Sequence, residues 1–118
     1  MGDIYVDGPA FLAILDRDDP GHARAASGWV AALDAGKTLA TSNYVVVEVC
    51  SLIQRRLGLD ALRAFVEDML PVVEVRTVTP EQHSTALVAL VAARRPDLTF
   101  VDCTSSLVRK SGGGETFA

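Results

Sequence analysis

"LTFVDCTSSLVRK", residues 98–110, sets an acid inside an apolar run, with Asp102 standing between Phe100-Val101 and Cys103. Burying an unpaired carboxylate is costly, so an acid here needs a reason. Spacing supplies one. Thr99 followed three positions later by Asp102 fits the reciprocal start of a helix, with Thr99 as the cap and Asp102 in the first turn. A negative charge is favourable there because the backbone N–H groups of the first turn point toward it. The stretch is read as the opening of a late helix.

The segments before it alternate between short apolar runs and helical patterns. Ile4-Tyr5-Val6 reads as a buried strand ending at Asp7, and Gly8-Pro9 leads into a short helix over Ala10 to Leu15. After the polar turn Asp16 to Gly21, a helix begins at Pro20 or His22 and runs to about Asp34, with Ala23, Ala26, Val30 and Leu33 on one face. Thr38 to Thr41 is a second strand. Asn43 to Leu57 is helical and ends before Gly58, a plausible glycine stop. Leu59 to Leu70 is a fourth helix, stopped by Pro71, and Val72 to Val78 is a third strand. Thr79-Pro80-Glu81-Gln82 starts a helix that runs to Arg94 or Arg95. Ser111 to Gly114 is a turn, and Glu115 to Ala118 begins a fourth strand. Strands alternating with helices imply a parallel sheet flanked by helices. The expected fold is therefore α/β, three layers of α/β/α with a short parallel sheet of about four strands. Residues 1–118 are read as a single domain, a usual domain length.

Bulk composition narrows the functional classes. Net charge is −4, which argues against a protein that grips duplex nucleic acid through charge alone. Eight of the 11 basic residues lie from Arg55 onward, which leaves room for a local basic rim or for ordinary solvated helix faces. Cys50 and Cys103 sit in apolar runs at a spacing that fits no zinc motif, and they read as core thiols of a reducing compartment. The first residues have no basic segment followed by a long apolar one, so no signal peptide is read. The longest apolar stretches, such as Ala86 to Ala93, are too short to span a bilayer. The expectation is a cytoplasmic protein with no membrane role.

Three of the 15 acids keep apolar company. Asp7 ends Ile-Tyr-Val, Glu48 interrupts Val45-Val46-Val47 and Val49-Cys50, and Asp102 interrupts the run already quoted. Parallel α/β sheets place their ligands at the carboxyl ends of the strands. Asp7 is at such an end, and Glu48 lies about a turn and a half into the helix that leaves the second strand. The three acids can therefore converge. Converging carboxylates repel one another unless a proton or cation intervenes. A hard divalent ion with oxygen ligands, Mg²⁺ or Mn²⁺, relieves that repulsion. No cluster of histidine or cysteine favours zinc, and His22 and His83, each near a helix start, read as plain surface residues.

These residues resemble a known family. "IYVDGPAFLAILDRDDPGHARA", "LATSNYVVVEVCSLIQRRLG" and "LTFVDCTSSLVRK" are similar, in order and over nearly the whole chain, to the motifs of PIN-domain ribonucleases, specifically VapC-type toxins of bacterial toxin–antitoxin pairs. The resemblance implies Asp7, Glu48 and Asp102 as metal ligands, with Thr104 or Ser105 as a polar helper. It also implies Mg²⁺ or Mn²⁺, a homodimer, and an antitoxin that inserts into the active-site groove. The expected reaction is metal-assisted hydrolysis of phosphodiester bonds in single-stranded or looped RNA. Asp7 and Asp102 would bind the ion, and Glu48 would bind it or position the attacking water. Arg55, seven positions after Glu48, is a candidate RNA contact on the same helix face, or an ordinary solvated arginine.

The sequence departs from the family pattern twice. Gly8-Pro9 stands where a small hydroxyl residue usually follows the first Asp, and the sequence stops at Ala118, before the position of a fourth acid. Either the domain's C-terminal end, with that acid, lies beyond residues 1–118, or the site has three acids; the 118-residue form is expected to hold its ion weakly, with at least one carboxyl pKa raised when the ion is absent. Two other readings stand beside the nuclease. One is an inactive PIN-fold binding protein. The other is a phospho-acceptor receiver domain, which needs an acceptor Asp at the end of the third strand and a Lys near the end of the last. The chain is 49% hydrophobic with mean hydropathy +0.26, so part of its surface is expected to be covered by another subunit or an antitoxin, with Asn43–Leu57 and Leu59–Leu70 as candidates.

Overall fold

The computed structural model describes residues 3–112 and the backbone of residues 115–116. Its elements follow in the order β1 (Asp3–Tyr5), α1 (Gly8–Leu15), α2 (His22–Asp34), β2 (Thr38–Ser42), α3 (Asn43–Arg56), α4 (Leu59–Ala64), β3 (Val73–Arg76), α5 (Pro80–Ala93), α6 (Phe100–Gly112) and β4 (Glu115–Thr116). The four strands form one parallel sheet in the order β3-β2-β1-β4. The expected α/β/α architecture is borne out.

Strand alternation explains the three layers. Side chains along a strand point to opposite faces. Ile4 and Val6 join the larger core, with Phe11, Leu39, Val45, Val49, Ile53 and Phe65, whereas Tyr5 joins a smaller one with Val78 and Val108. The larger core centres on Phe11, fully buried and edge-on to Phe65 at 5.1 Å and to Trp29 at 6.2 Å. Burying one such ring contributes roughly 1.5–3 kcal/mol.

Two buried bonds fix where β1 delivers the chain. Val6 N–H donates to the Ala40 carbonyl at 2.7 Å, and the Thr41 hydroxyl donates to the Val6 carbonyl at 2.7 Å. Asp7 is thereby held at the carboxyl edge of the sheet. On the same edge, Ser42 caps α3 by accepting from Val45 N–H, so the helix carrying Glu48 leaves β2 directly.

Several boundaries differ from expectation, three of them for a local reason. Helix α1 begins at Gly8 rather than Ala10, because Asp7 itself is its cap, accepting from Ala10 N–H at 3.2 Å. The stretch 59–70 is not one regular helix: α4 passes at Phe65–Met69 into a wider turn in which Leu70 N–H reaches the Phe65 carbonyl, and a tight turn follows over Leu70–Val72. Pro71 offers no N–H to carry the helix on, while Leu70 before it keeps helical angles, φ −58° and ψ −36°. The third strand is correspondingly shorter, Val73–Arg76. Gly58 adopts φ +93°, a conformation open to glycine, where α3 ends and α4 begins. Of the expected turn at Ser111 to Gly114, α6 takes the first two residues, and the rest lies outside the described residues. The expected strand from Glu115 is present at Glu115–Thr116, and its continuation also lies outside them.

Both cysteines are free, Cys103 buried and Cys50 half-buried. The histidines are not plain surface residues. His22 Nδ1 lies 2.8 Å from the Ala13 carbonyl, and His83 bonds the Tyr44 hydroxyl within a ring cluster completed by Phe100. Among the described residues no helix is long and apolar enough to cross a membrane.

Candidate active site

Asp7, Glu48 and Asp102 line one cleft of about 170 Å³. Each comes from a different element: the end of β1, the second turn of α3 and the first turn of α6. The capping pattern at the start of α6 is present in both directions. Thr99 Oγ1 accepts from Asp102 N–H at 3.0 Å, and Asp102 Oδ2 accepts from Thr99 N–H at 3.1 Å. Asp102 is exposed, so the acid inside the apolar run is a helix-start residue on the rim of a cleft and not a buried core charge. Asp7 and Asp102 share a design. Each gives one carboxylate oxygen to a helix N-terminus, Asp7 Oδ1 to Ala10 N–H and Asp102 Oδ2 to Thr99 N–H.

Glu48 approaches the β1–α1 junction closely. A Cβ added at Gly8 would stand 3.1 Å from Glu48 Oε1 and 3.6 Å from Val49. Glycine after Asp7 therefore leaves the space that the Glu48 carboxylate uses, which gives the Gly8 departure a steric role.

Two of the three carboxyls are perturbed upward. Burial raises Asp7, the nearby Asp102 charge adds to this, and the Ala10 N–H and Arg109 oppose it. Glu48 is raised by burial and then by Asp102. The expected upward shift is present, with desolvation ahead of mutual repulsion as its cause. Among the described residues, no three Asp, Glu, His or Cys side chains are drawn close enough to enclose an ion. The donor set is nonetheless all oxygen, anionic and strained by its own charge. It suits a hard divalent cation that keeps part of its water shell, as Mg²⁺ does.

These shifts set a pH dependence of stability when no divalent ion is present. A carboxyl raised in the folded state holds its proton after the unfolded chain has lost it. The contribution of these two groups to stability therefore falls as pH rises from the ordinary values, 3.8 for Asp7 and 4.5 for Glu48, through the raised ones, and is constant beyond. Thermal melts across that range in EDTA should show the fall, and Asp7→Asn should flatten it. An unchanged slope in that variant would place its origin elsewhere.

The other expected site residues divide. Ser105 lines the cleft and accepts from the Tyr5 hydroxyl at 3.0 Å, a bond that ties α6 to β1. Thr104 does not line it: its side chain is fully buried and its hydroxyl donates to the Val101 carbonyl at 2.8 Å. Arg55 is also outside the cleft, exposed, with Nε donating to the Ser51 carbonyl at 3.4 Å.

Among the cleft residues not anticipated are Ser106 and Arg109. The signal for them is present in α6. Asp102, Ser105, Ser106 and Arg109 are spaced i, i+3, i+4, i+7, a polar stripe on one helix face. Arg109 is the cation of the cleft, and its charge acts on Asp7.

The receiver-domain alternative finds no support in this geometry, since β3 ends at Arg76 and supplies no acid to the cleft. A profile of the PIN domain matches residues 4–116. No curated protein matches the chain. Among solved structures, the chain is similar to the crystal structure of VapC20 of Mycobacterium tuberculosis, a sarcin–ricin loop cleaving toxin. The two are 32% identical with a TM-score of 0.83, over 98% of this chain and 88% of that one. The two matches span almost the whole sequence: this chain belongs to the PIN-domain family.

Proposed function

We propose that this protein is an endoribonuclease toxin of a toxin–antitoxin pair, and that it cleaves RNA with the help of Mg²⁺ or Mn²⁺. The observation that carries this is the meeting of Asp7, Glu48 and Asp102 in one cleft of a PIN fold. Likeness to a toxin at 32% identity supports the biological setting. RNA as substrate, an antitoxin as partner and a second copy of the chain as subunit come with that reading.

Asp7 and Asp102 would hold the ion with the oxygens not given to helix starts, and Glu48 would either join them or orient a water. When bound, a divalent cation polarises the phosphoryl group and lowers the pKa of an attacking water. The chain's own contribution is positioning. The Thr41 bond ties the end of β1 to β2, the Ser42 cap fixes the start of α3, and Tyr5 braces α6 through Ser105.

The test is cleavage of single-stranded RNA by the purified protein. Cleavage should require a divalent ion and stop in EDTA. EDTA-resistant cleavage would overturn the metal reading, and no cleavage of any RNA with ions present would favour the inactive PIN-fold alternative.

Arg109 extends this reading. An acidic cleft repels the RNA backbone, and the positive charge of a guanidinium within it attracts a phosphate. Arg109→Ala should raise KM for RNA by roughly tenfold, with a smaller effect on kcat, and Arg109→Lys should recover only part of the loss. Equal KM in wild type and Arg109→Ala would remove Arg109 from substrate binding.

A further inference from the structure

Beside the acid-lined cleft lies a second hollow of about 310 Å³, lined by Tyr44, Val47, Glu48 and Val101. Glu48 and Val101 also line the cleft, so the two spaces join. Each wall of the hollow adjoins an acid. On α3, Tyr44 precedes Glu48 by four residues, about one turn and roughly 6 Å along the same face. On α6, Val101 is followed directly by Asp102. The chemistry changes across this short step. The cleft holds three carboxylates and Arg109, whereas the hollow, apart from Glu48, offers one aromatic ring and two valines. Val47 is 68% exposed and so open to a ligand.

The ring is held in place before any ligand arrives. Tyr44 is half-buried, and its hydroxyl bonds His83 of α5. The His83 ring meets it edge-on at 5.9 Å, Phe100 of α6 lies tilted at 5.8 Å, and His83 and Phe100 meet edge-on at 5.1 Å. Side chains from three helices thus fix one half-exposed ring. An aromatic side chain has few rotamers to lose, and a braced one loses fewer, so it offers rigid contact at low entropic cost.

What such a surface recognises follows from its neighbour. A phosphate among the acids of the cleft carries a nucleotide on either side, and the bases of unpaired RNA are bound by stacking on aromatic side chains. An apolar hollow with one ring, a helical turn from the acids, suits a flat base, and its lining has no cation to hold another phosphate. Its volume is at the lower end of small-ligand clefts, roughly 300–1,000 Å³.

We propose that this hollow is a nucleobase subsite, in which a base next to the scissile phosphate stacks on Tyr44 with Val47 and Val101 as apolar walls. This rests on the ribonuclease reading above and adds how the substrate is seated beside the three acids. Tyr44 is then a substrate-binding residue, and His83 a positioning residue that steadies it.

A comparison that changes ring and base together tests it. Total bacterial RNA treated with wild type and Mn²⁺ shows where cleavage falls. A short RNA around that site is then made intact and with an abasic nucleotide on either side of the cut. Wild type, Tyr44→Leu and Tyr44→Phe are compared by kcat/KM, with thermal melts to show that each is folded. Tyr44→Leu keeps apolar bulk but removes the stacking ring, and should lower kcat/KM on the intact RNA by roughly five- to a hundredfold. Tyr44→Phe, which keeps the ring and loses the bond to His83, should lose less. With wild type, one of the two abasic RNAs should show the same loss as Tyr44→Leu. With Tyr44→Leu, that RNA and the intact one should be cut equally, within about twofold, because base and ring form one contact. Equal kcat/KM of wild type and Tyr44→Leu on the intact RNA would overturn the subsite. So would losses that multiply at both abasic positions, the result of a purely structural role for Tyr44. Should Tyr44→Leu not fold, Val47→Asp at its exposed position carries the test. It should lose less on the abasic RNA than on the intact one, and equal losses would overturn the subsite. No cleavage of any RNA by folded wild type would overturn the ribonuclease reading, and the subsite with it.

Discussion

Replacing Asp7 by asparagine is expected to slow RNA cleavage by more than about a hundredfold while leaving the melting temperature unchanged or slightly higher. The magnitude follows from the role. Changing a residue that merely supports a metal ligand typically costs 10- to 100-fold, so changing a ligand should cost more. The unchanged fold follows from the cap. Asp7 Oδ1 accepts the Ala10 N–H that opens α1, and asparagine caps a helix as well as aspartate does. The rise in stability follows from electrostatics, because the substitution removes a carboxyl that burial and Asp102 disfavour in its charged form. Asp7→Ala is the wrong variant, since it also removes the cap, at about 0.5–2 kcal/mol. Asp102→Asn should behave alike, because an amide oxygen can still accept from Thr99 N–H. Rates with a fixed RNA and melts of both variants check this. A fully active Asp7→Asn would remove Asp7 from the chemistry.

Phe11→Ala is expected to have the largest effect on stability, about 3–5 kcal/mol. Phe11 is fully buried and links α1 to Trp29 of α2 and to Phe65 beyond α4. Against a total of roughly 5–15 kcal/mol for a domain, the loss is severe, and the melting temperature should fall by roughly 10–20 °C. The same helix is capped by Asp7, so cleavage should also drop near the new melting point and recover on cooling. Thermal melts and rates at two temperatures separate this from the Asp7 effect. A loss under about 1 kcal/mol would show that the core closes around the missing ring.

The contrast between these positions shows what could be read in the sequence. Asp7, Glu48 and Asp102 were legible because each breaks an apolar pattern that the fold explains, and Thr99 with Asp102 has the spacing of a reciprocal cap. Thr104 misled because adjacency in a motif is not adjacency in space. Two positions after Asp102 on a helix is about 200° of rotation, and Thr104 turns into the core, while Ser106 and Arg109, at i+4 and i+7, stay on the cleft face. Arg55 shows the opposite limit. It shares a face with Glu48, but seven residues of helix carry it roughly 10 Å away along the axis. Periodicity gives direction and not reach. The wide turn at Phe65–Met69 was hidden because its cause, a proline two residues later, signals a helix end and not a change of pitch.

We propose that the three carboxylates from β1, α3 and α6 form one cation site. Titration calorimetry with Mn²⁺ on wild type and Asp7→Asn tests it most directly, with thermal melts to show that both are folded. One saturable site is expected in the wild type, with an affinity at least about tenfold weaker in Asp7→Asn. Equal Mn²⁺ binding by the two folded proteins would contradict it.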